Sequence, residues 1–319
     1  MNQRKFGRTD LRVSELCLGA MQFGWLTDAS TTFAILDAFH AAGGNFIQAV
    51  SDGTLGADAP AALCRSEELL GAWLRDRRVP RETLVLGTHV RLVRAPGQSA
   101  PAFAARVRAE IAGILRRLGT PYLDLLVCEW GEVWTPPDDA LRALEELRRA
   151  GMLRHVGASG FPAWRLMECL CHSLRRDRLR FEAAQAPYSL LERAPFEPEL
   201  RDLAREHRLA FVAQSPLAGG VLADRFVAAP DTARARRLQA RYGGGGALLE
   251  RLRAVALAHD ATPAQVALAW TLRHPEVTAT LLGCARVEHV HEAVRASRRG
   301  DLLAPLWTSF ATAAVSAAE

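Results

Sequence analysis

Short apolar segments alternate with longer amphipathic segments along almost the whole chain of 319 residues. Strands buried in a parallel sheet are apolar on both faces, and each connection between parallel strands needs a crossover, usually a helix. The alternation therefore predicts an α/β fold of the (β/α)8 TIM-barrel type. The predicted strands are Glu15 to Leu18, Asn45 to Ala49, Thr83 to Thr88, Leu123 to Cys128, His155 to Ala158, Ala183 to Gln185, Leu209 to Ala213 and Val277 to Leu281.

Helical spacing of apolar residues fills the intervals between these strands. A further stretch, Leu302 to Ala317, predicts an extra C-terminal helix packed outside the barrel. No linker divides the chain, so residues 1–319 are predicted to form one domain. Predicted helices include Thr31 to Ala42, Pro101 to Leu118, Asp138 to Ala150 and Pro162 to Leu174.

Two segments have the weakest helix or strand pattern. They are Ser51 to Leu63, after the second predicted strand, and Leu222 to Gly246, after the seventh. Both follow the carboxyl end of a strand, where the active sites of TIM barrels are built. We therefore predict two loops that border an active site.

Composition narrows the classes of partner. The polar start, Met1 to Phe6, and the absence of a run of eighteen apolar residues predict a cytoplasmic protein without a membrane partner. The net charge of +5 comes from arginines scattered along helices, which does not indicate nucleic-acid binding. The six cysteines lack paired metal spacing and are expected to be free thiols. The sequence leaves the oligomeric state open.

Eight short motifs follow one another in an order that resembles the aldo-keto reductase superfamily over essentially the whole chain. Members of that superfamily transfer a hydride from NADPH to the carbonyl of a small-molecule substrate, and a tyrosine assisted by aspartate, lysine and histidine donates the proton. The resemblance implies a TIM barrel with an N-terminal hairpin. The motifs are Phe6 to Ser14, Gly44 to Ile47, Arg65 to Gly71, Tyr122 to Leu125, Val156 to Phe161, Gln185 to Leu191, Gln214 to Gly220 and Thr262 to Trp270.

The resemblance also locates the four catalytic positions, and each holds a different residue type here. Gln48 occupies the position of the aspartate, Gly53 that of the tyrosine, His89 that of the lysine and Glu129 that of the histidine. The only lysine in the chain is Lys5, far from the carboxyl end of any predicted strand. A tyrosine that acts as general acid with the help of a lysine is therefore excluded.

Tyr242 is the one tyrosine of three that lies outside the framework motifs, so any tyrosine that acts as general acid would have to be this residue. For that reason we predict that Tyr242 lies in the substrate pocket. Trp130 and Trp134 follow Glu129 closely and are predicted to supply an apolar wall, although loop packing explains them equally well.

The replacements form a coherent acid/base set. His89 and Glu129 end neighbouring strands, which run about 5 Å apart, so the imidazole and carboxylate can share a hydrogen bond. Such a carboxylate fixes the tautomer of histidine and raises its basicity. We expect Asp52 to act as a second acid/base and Gln48 to orient the pair. A metal site of His89, Glu129 and Asp52 lacks any spacing pattern, and none is predicted.

The cofactor positions implied by the resemblance are only partly kept. Gln214 replaces the aromatic residue that stacks on the nicotinamide, and His289 replaces the arginine at the 2′-phosphate, where Arg286 is the remaining basic residue. These losses predict weakened NADP(H) binding. The retained positions are Ser159, Gln185, Ser215, Leu217, Gly219 and Glu292.

Three functions follow as alternatives. The first is an enzyme that dehydrates, isomerises or cyclises a small carbonyl-containing metabolite without net redox, with His89 as base and Glu129 as its partner. The second is an NADP(H)-dependent oxidoreductase with a substitute proton donor, namely His89, Asp52 or Tyr242. The third is an inactive binding or regulatory homologue, because a fold does not fix a function. Scarce lysine and abundant alanine suggest a high-GC bacterium and hence secondary metabolism.

Overall fold

Eight parallel strands close into a barrel, as the apolar pattern predicts. The computed structural model describes residues 1–50, 65–131, 135–223, 233–243, 246–299 and Phe310. Around the barrel the strands pair in the order β10-β3-β4-β5-β6-β7-β8-β9, and β9 pairs back with β10. Their bounds are β3 Leu16–Gly19, β4 Phe46–Val50, β5 Val85–Val90, β6 Leu123–Glu129, β7 Leu153–Ser159, β8 Phe181–Pro187, β9 Ala210–Gln214 and β10 Val277–Gly283.

The expected N-terminal hairpin is also present. Its strands, β1 (Gln3–Lys5) and β2 (Arg12–Ser14), pair antiparallel. Arg4 donates hydrogen bonds to the carbonyl oxygens of Val277 and Leu272, at 2.6 and 2.8 Å. Because Val277 begins β10, the hairpin covers the amino-terminal end of the barrel. The opposite end, where the strands finish, remains available for a site.

The described helices follow the predicted intervals closely. Apolar faces of these helices pack on the outside of the barrel in one continuous core. Most of the predicted terminal helix lies outside the described residues. Within that stretch the structure describes Phe310 alone, and this side chain is buried. The helices are α1 Ala29–Ala41, α2 Arg65–Asp76, α3 Ala100–Leu118, α4 Pro137–Arg149, α5 Ala163–Arg176, α6 Glu199–His207, α7 Ala233–Tyr242, α8 Gly246–Ala258, α9 Pro263–Arg273 and α10 Val287–Arg298. None of them is long and apolar enough to cross a bilayer.

One prediction of a loop was wrong. The segment Leu222 to Gly246 contains α7, whose sequence is rich in alanine and arginine. These residue types have high helix propensity even where no apolar stripe is present. Leu238 packs against the core, and its methyl groups approach Gly219 to 2.9 Å from where a Cβ on that glycine would stand.

The contact between α2 and α3 depends on a glycine. A Cβ on Gly71 would lie 2.8 Å from the backbone of Leu118 and would overlap the carbonyl oxygen of Arg117. We expect Gly71→Ala to lower the free energy of unfolding by about 1–3 kcal/mol, because the backbone must move to relieve the overlap. Denaturant unfolding followed by circular dichroism measures this change.

Gly113, in the middle of α3, is the matched control for that substitution. A Cβ there would meet only guanidinium nitrogens, the nearer being Nη1 of Arg117 at 3.4 Å. Gly113→Ala is therefore expected to be neutral or to stabilise by up to about 1 kcal/mol, since alanine favours the helix. Equal losses in both variants would contradict the close approach at Gly71.

Candidate active site

Strand register brings three of the predicted catalytic residues to the same end of the barrel. Val50 pairs with His89, and His89 pairs with Val127, two residues before Glu129. Side chains alternate along a strand, so Gln48, His89 and Glu129 share the inward-facing set. The closed barrel therefore assembles them around one point at the carboxyl ends of β4, β5 and β6.

His89 lies at the centre of a hydrogen-bonded network. Its Nδ1 is 2.8 Å from Oε1 of Glu129, and its Nε2 is 3.0 Å from Oε1 of Gln48. Nε2 of Gln185 lies 3.3 Å from the same Nε2 of His89. The two glutamines are also joined to each other, because Gln48 donates to Oε1 of Gln185 at 3.2 Å. The predicted histidine–carboxylate pair is therefore held from both sides of the imidazole ring.

This arrangement satisfies the imidazole in two protonation states. An ionised Glu129 can only accept, so the proton on this side belongs to Nδ1 of His89. On the other side, Gln48 offers a carbonyl oxygen that accepts from a protonated Nε2, and Gln185 offers an N–H that donates to an unprotonated one. Nε2 of His89 therefore has a partner in either tautomer, although it can use only one of the two amide groups at a time.

The two members of the pair differ in exposure. The Glu129 side chain is 24% exposed, whereas that of His89 is 5% exposed. The carboxylate is therefore the member that meets a bound molecule more readily, and the imidazole lies behind it. The sequence alone assigned the role of base to His89, with Glu129 as its partner, and made no prediction of their relative exposure.

A cavity of about 540 Å³ opens at this end of the barrel, which is within the usual range for small-molecule sites. One part is lined by Gln48, His89 and Glu129, and the cavity continues along the segment after β9 toward the end of β10. Its remaining lining residues are Gly19, Met21, Gln22, Val50, Gln214, Ser215, Pro216, Leu217, Gly219, Gly220, Ala223, Leu281, Leu282, Gly283, Ala285 and His289.

Two of the predicted cofactor residues face protein groups rather than the cavity. Ser159 and Gln185 are buried and are not among the described lining residues. The Ser159 hydroxyl accepts a hydrogen bond from Nε2 of Gln214 at 3.2 Å, and Gln185 contacts Gln48 and His89. A ligand amide placed at these two side chains would compete with these hydrogen bonds.

The segment after β9 makes tight turns beside the cavity. Ser215, Ala218, Gly219 and Gly220 have φ values of +50°, +48°, +70° and +110°. The N–H groups of Ala218 and Gly220 donate to the carbonyl oxygens of Ser215 and Leu217, at 2.8 and 2.9 Å, and close these turns. A Cβ on Gly220 would meet no atom within 4 Å, so the backbone borders open space.

The predicted residues of the adenosine end do not reach the cavity. Arg286 is exposed and Glu292 accepts a hydrogen bond from the Thr262 hydroxyl at 2.7 Å, and neither is a described lining residue. Sequence reasoning missed Met21 and Gln22 as lining residues. Their position just beyond β3, at the active end of the barrel, was a signal that could have located them.

The remaining predicted pocket residues lie apart from the described lining. The Trp130 ring packs on Phe161, with 5.4 Å between the ring centres. The Tyr242 hydroxyl donates a hydrogen bond to Glu192. Neither Trp130 nor Tyr242 is among the lining residues that the structure describes. Asp52 and Trp134 fall outside the described residues.

Comparison with known proteins identifies the family of this chain. Residues 15–303 match the model of the aldo/keto reductase family, so the chain belongs to that family. It is 31% identical over 301 residues to the uncharacterized oxidoreductase YrpG of Bacillus subtilis, covering 93% of this chain and 91% of that protein. Protein tas of Escherichia coli is 29% identical over 340 residues, with 96% of each chain covered. Norsolorinic acid reductase of Aspergillus flavus is 26% identical over 301 residues, covering 90% of this chain and 74% of that protein.

The environment of Tyr242 generates a pH prediction. Burial, the hydrogen bond to Glu192 and the charge of that carboxylate raise the pKa of the Tyr242 phenol above its ordinary value. A raised pKa in the folded state stabilises the protein below the unfolded pKa of about 10 and loses this effect as the pH rises beyond it. We expect Tyr242→Phe to cost about 1 kcal/mol of unfolding free energy near pH 8, and the difference to shrink above pH 10.

Denaturant unfolding of both proteins between pH 7 and 11 measures that difference. The difference in unfolding free energy between the two proteins should stay constant up to the unfolded pKa of about 10 and then fall. A difference that grows with alkaline pH would contradict the assigned contact between Tyr242 and Glu192.

Proposed function

We propose that this chain is an acid/base enzyme that dehydrates, isomerises or cyclises a small carbonyl-containing metabolite without net redox change. The observation that carries this proposal is the 2.8 Å contact between Nδ1 of His89 and Oε1 of Glu129, with the carboxylate at the cavity wall. Two further observations support it: the hydrogen bonds that Gln48 and Gln185 form with the other side of His89, and the low exposure of the imidazole.

The chemistry follows from the orientation of the pair. The Glu129 carboxylate accepts a proton from the carbon or hydroxyl next to the substrate carbonyl. The N–H of His89 stabilises the carboxylate before transfer, and Glu129 returns the proton to a different atom of the same substrate. In a dehydration, that atom is the oxygen of the departing hydroxyl, which leaves as water. General acid/base groups of this kind contribute about 10²–10⁴-fold to a rate.

Gln48 is proposed to orient the imidazole through Nε2. Asp52, which follows β4 in the segment outside the described residues, is proposed as the second acid/base, and Trp130 and Trp134 as flanking apolar groups. These roles are expectations that rest on sequence position. NADP(H) is proposed to bind weakly, because the nicotinamide end is occupied by the bonds of Ser159 and Gln185.

Substitution of Glu129 tests the proposal. Protein freed of nucleotides is incubated in D2O with a mixture of small aldehydes, ketones and hydroxyketones, and mass spectrometry follows deuterium incorporation and loss of water. We expect Glu129→Gln to lower the rate about 10²–10⁴-fold, because the amide keeps the shape but cannot accept a proton. His89→Gln should fall by a similar factor.

Tyr242→Phe is the control, since the Tyr242 hydroxyl bonds to Glu192 outside the described cavity lining. Its rate should stay within about 2-fold of the wild-type rate, as expected of a substitution away from the reacting groups. Wild-type rates in Glu129→Gln, with all proteins folded by circular dichroism, would exclude the proposed role.

A second candidate is an NADP(H)-dependent oxidoreductase in which a substitute group donates the proton. One observation favours it: the cavity runs without interruption from Glu129 along Ser215 and Gly219 to Gly283, the course that a dinucleotide would need. The names of two relatives, an oxidoreductase and a reductase, agree with this chemistry. The third function, an inactive binding or regulatory homologue, receives less support because the cavity is open and contains titratable groups.

A further inference from the structure

A recess on the outside of the barrel lies in the groove between α2 and α3. Its volume is about 560 Å³, close to that of the cavity at the barrel mouth. Three of its lining residues, Leu69, Ala72 and Gly113, are half-buried or buried and carry no polar side chain. The other lining residues are Arg65, Glu68, Arg75, Arg116 and Arg117. The groove therefore combines an apolar centre with a strongly positive border.

The guanidinium groups are spread along the groove. Nη1 of Arg117 and Nη2 of Arg116 lie 3.4 and 3.7 Å from the point where a Cβ on Gly113 would stand. Further along α3, Nη1 of Arg75 lies 3.2 Å from the corresponding point on Gly119. Positions 113 and 119 are separated by about 9 Å along a helix axis. The positive charge thus forms a row and is not gathered at one point.

One of these cations already has a buried partner. Nε of Arg117 donates to Oε2 of Glu67 at 2.6 Å, and the Glu67 side chain is fully buried. Oε1 of the same carboxylate accepts a hydrogen bond from the Thr88 hydroxyl at 3.4 Å. A buried carboxylate that loses its cation is costly. Arg117 is therefore held in the wall of the groove, and we do not count it among the groups that bind a ligand.

The other three arginines have no such partner. Within the ranges that the structure describes, the side chains of Arg65, Arg75 and Arg116 form no ion pair. Glu68 is the one acidic residue among the described lining residues. On α4, by contrast, the exposed arginines have carboxylate partners. Like charges that lie close together without counter-charges repel one another, and an anion in the groove relieves this repulsion.

The chemistry of the guanidinium group and the row of charges select the kind of anion. Arginine presents pairs of N–H donors in a planar fork that matches the oxygens of phosphate and carboxylate. A compact anion reaches only one part of a row that extends for about 9 Å. A chain of linked phosphates carries negative charge on every unit and can meet all three arginines at once.

We propose that the groove between α2 and α3 is a binding site for a chain of linked phosphate groups, held by Arg65, Arg75 and Arg116. Free polyphosphate and the phosphate chain of a nucleotide present the same oxygens to these arginines. The site lies on the outer helices and does not involve Glu129 or His89. This proposal and the proposed function can therefore fail independently.

Isothermal titration of the full chain with tripolyphosphate, at about 50 and about 150 mM salt, tests the proposal. We expect one molecule to bind per chain, more weakly at the higher salt. Arg75→Gln and Arg116→Gln should each weaken binding about 3–10-fold, as expected for the loss of one charge-assisted hydrogen bond at an exposed site. Binding of AMP, which has a single phosphate, should be at least about 10-fold weaker.

A parallel titration with ATP distinguishes the two sources of the phosphate chain. Tighter binding of ATP than of tripolyphosphate, weakened by Arg116→Gln, would assign the site to a nucleotide. Tighter binding of tripolyphosphate would assign it to free polyphosphate. Both results support the site.

Arg108→Gln is the matched control, because Arg108 is an exposed arginine of α3 outside the described lining. Its affinity for tripolyphosphate should stay within about 2-fold of the wild-type value. An equal loss in Arg108→Gln would show only general attraction to a positive surface and would overturn the proposal. Undetectable binding at the lower salt, or unchanged affinity in the Arg75→Gln/Arg116→Gln double variant, would also overturn it. Equal thermal midpoints exclude misfolding as the cause in any variant.

Discussion

Closure of the eight parallel strands is the constraint on which the site depends. Closure fixes the register of each strand against two neighbours, and the register determines which side chains meet at the carboxyl end. Gln48, His89 and Glu129 are distant in sequence, yet they meet because β4, β5 and β6 are consecutive in the barrel. Gln185 joins them across the interior from β8. The N-terminal hairpin covers the opposite end, so the polar network can form only at the open mouth.

The side chains of this network are held together because each buried polar group needs a hydrogen-bond partner. An imidazole at low exposure needs partners on both nitrogens, and Glu129 supplies one while the two glutamines supply the other. The same need draws Ser159 and Gln214 together. Ser159 and Gln185, expected from the sequence to meet a cofactor, thus form hydrogen bonds with neighbouring side chains in this structure. The chain belongs to the aldo/keto reductase family, and the proposal assigns proton transfer to its polar network.

Much of the fold was predictable from the sequence, because buried parallel strands and amphipathic helices leave a clear periodicity. The helix α7 was not, since Leu238 and Tyr242 are its only apolar side chains larger than alanine and give a weak pattern. The pairing of His89 with Glu129 followed from their positions at strand ends. Their order of exposure did not, because it depends on side-chain rotamers and on how far each strand extends. The partners of Gln185 also could not be predicted, since they require the barrel to be closed.

The central claim is that the Glu129–His89 pair moves protons without a hydride donor. Its most direct test is the nucleotide dependence of turnover, measured on protein stripped of nucleotides and supplied with a converted carbonyl compound. The account predicts an unchanged rate with and without added NADH or NADPH, and a product that is an isomer or a dehydration product of the substrate. Turnover only in the presence of a reduced nucleotide, giving a product richer by two hydrogens, would contradict it.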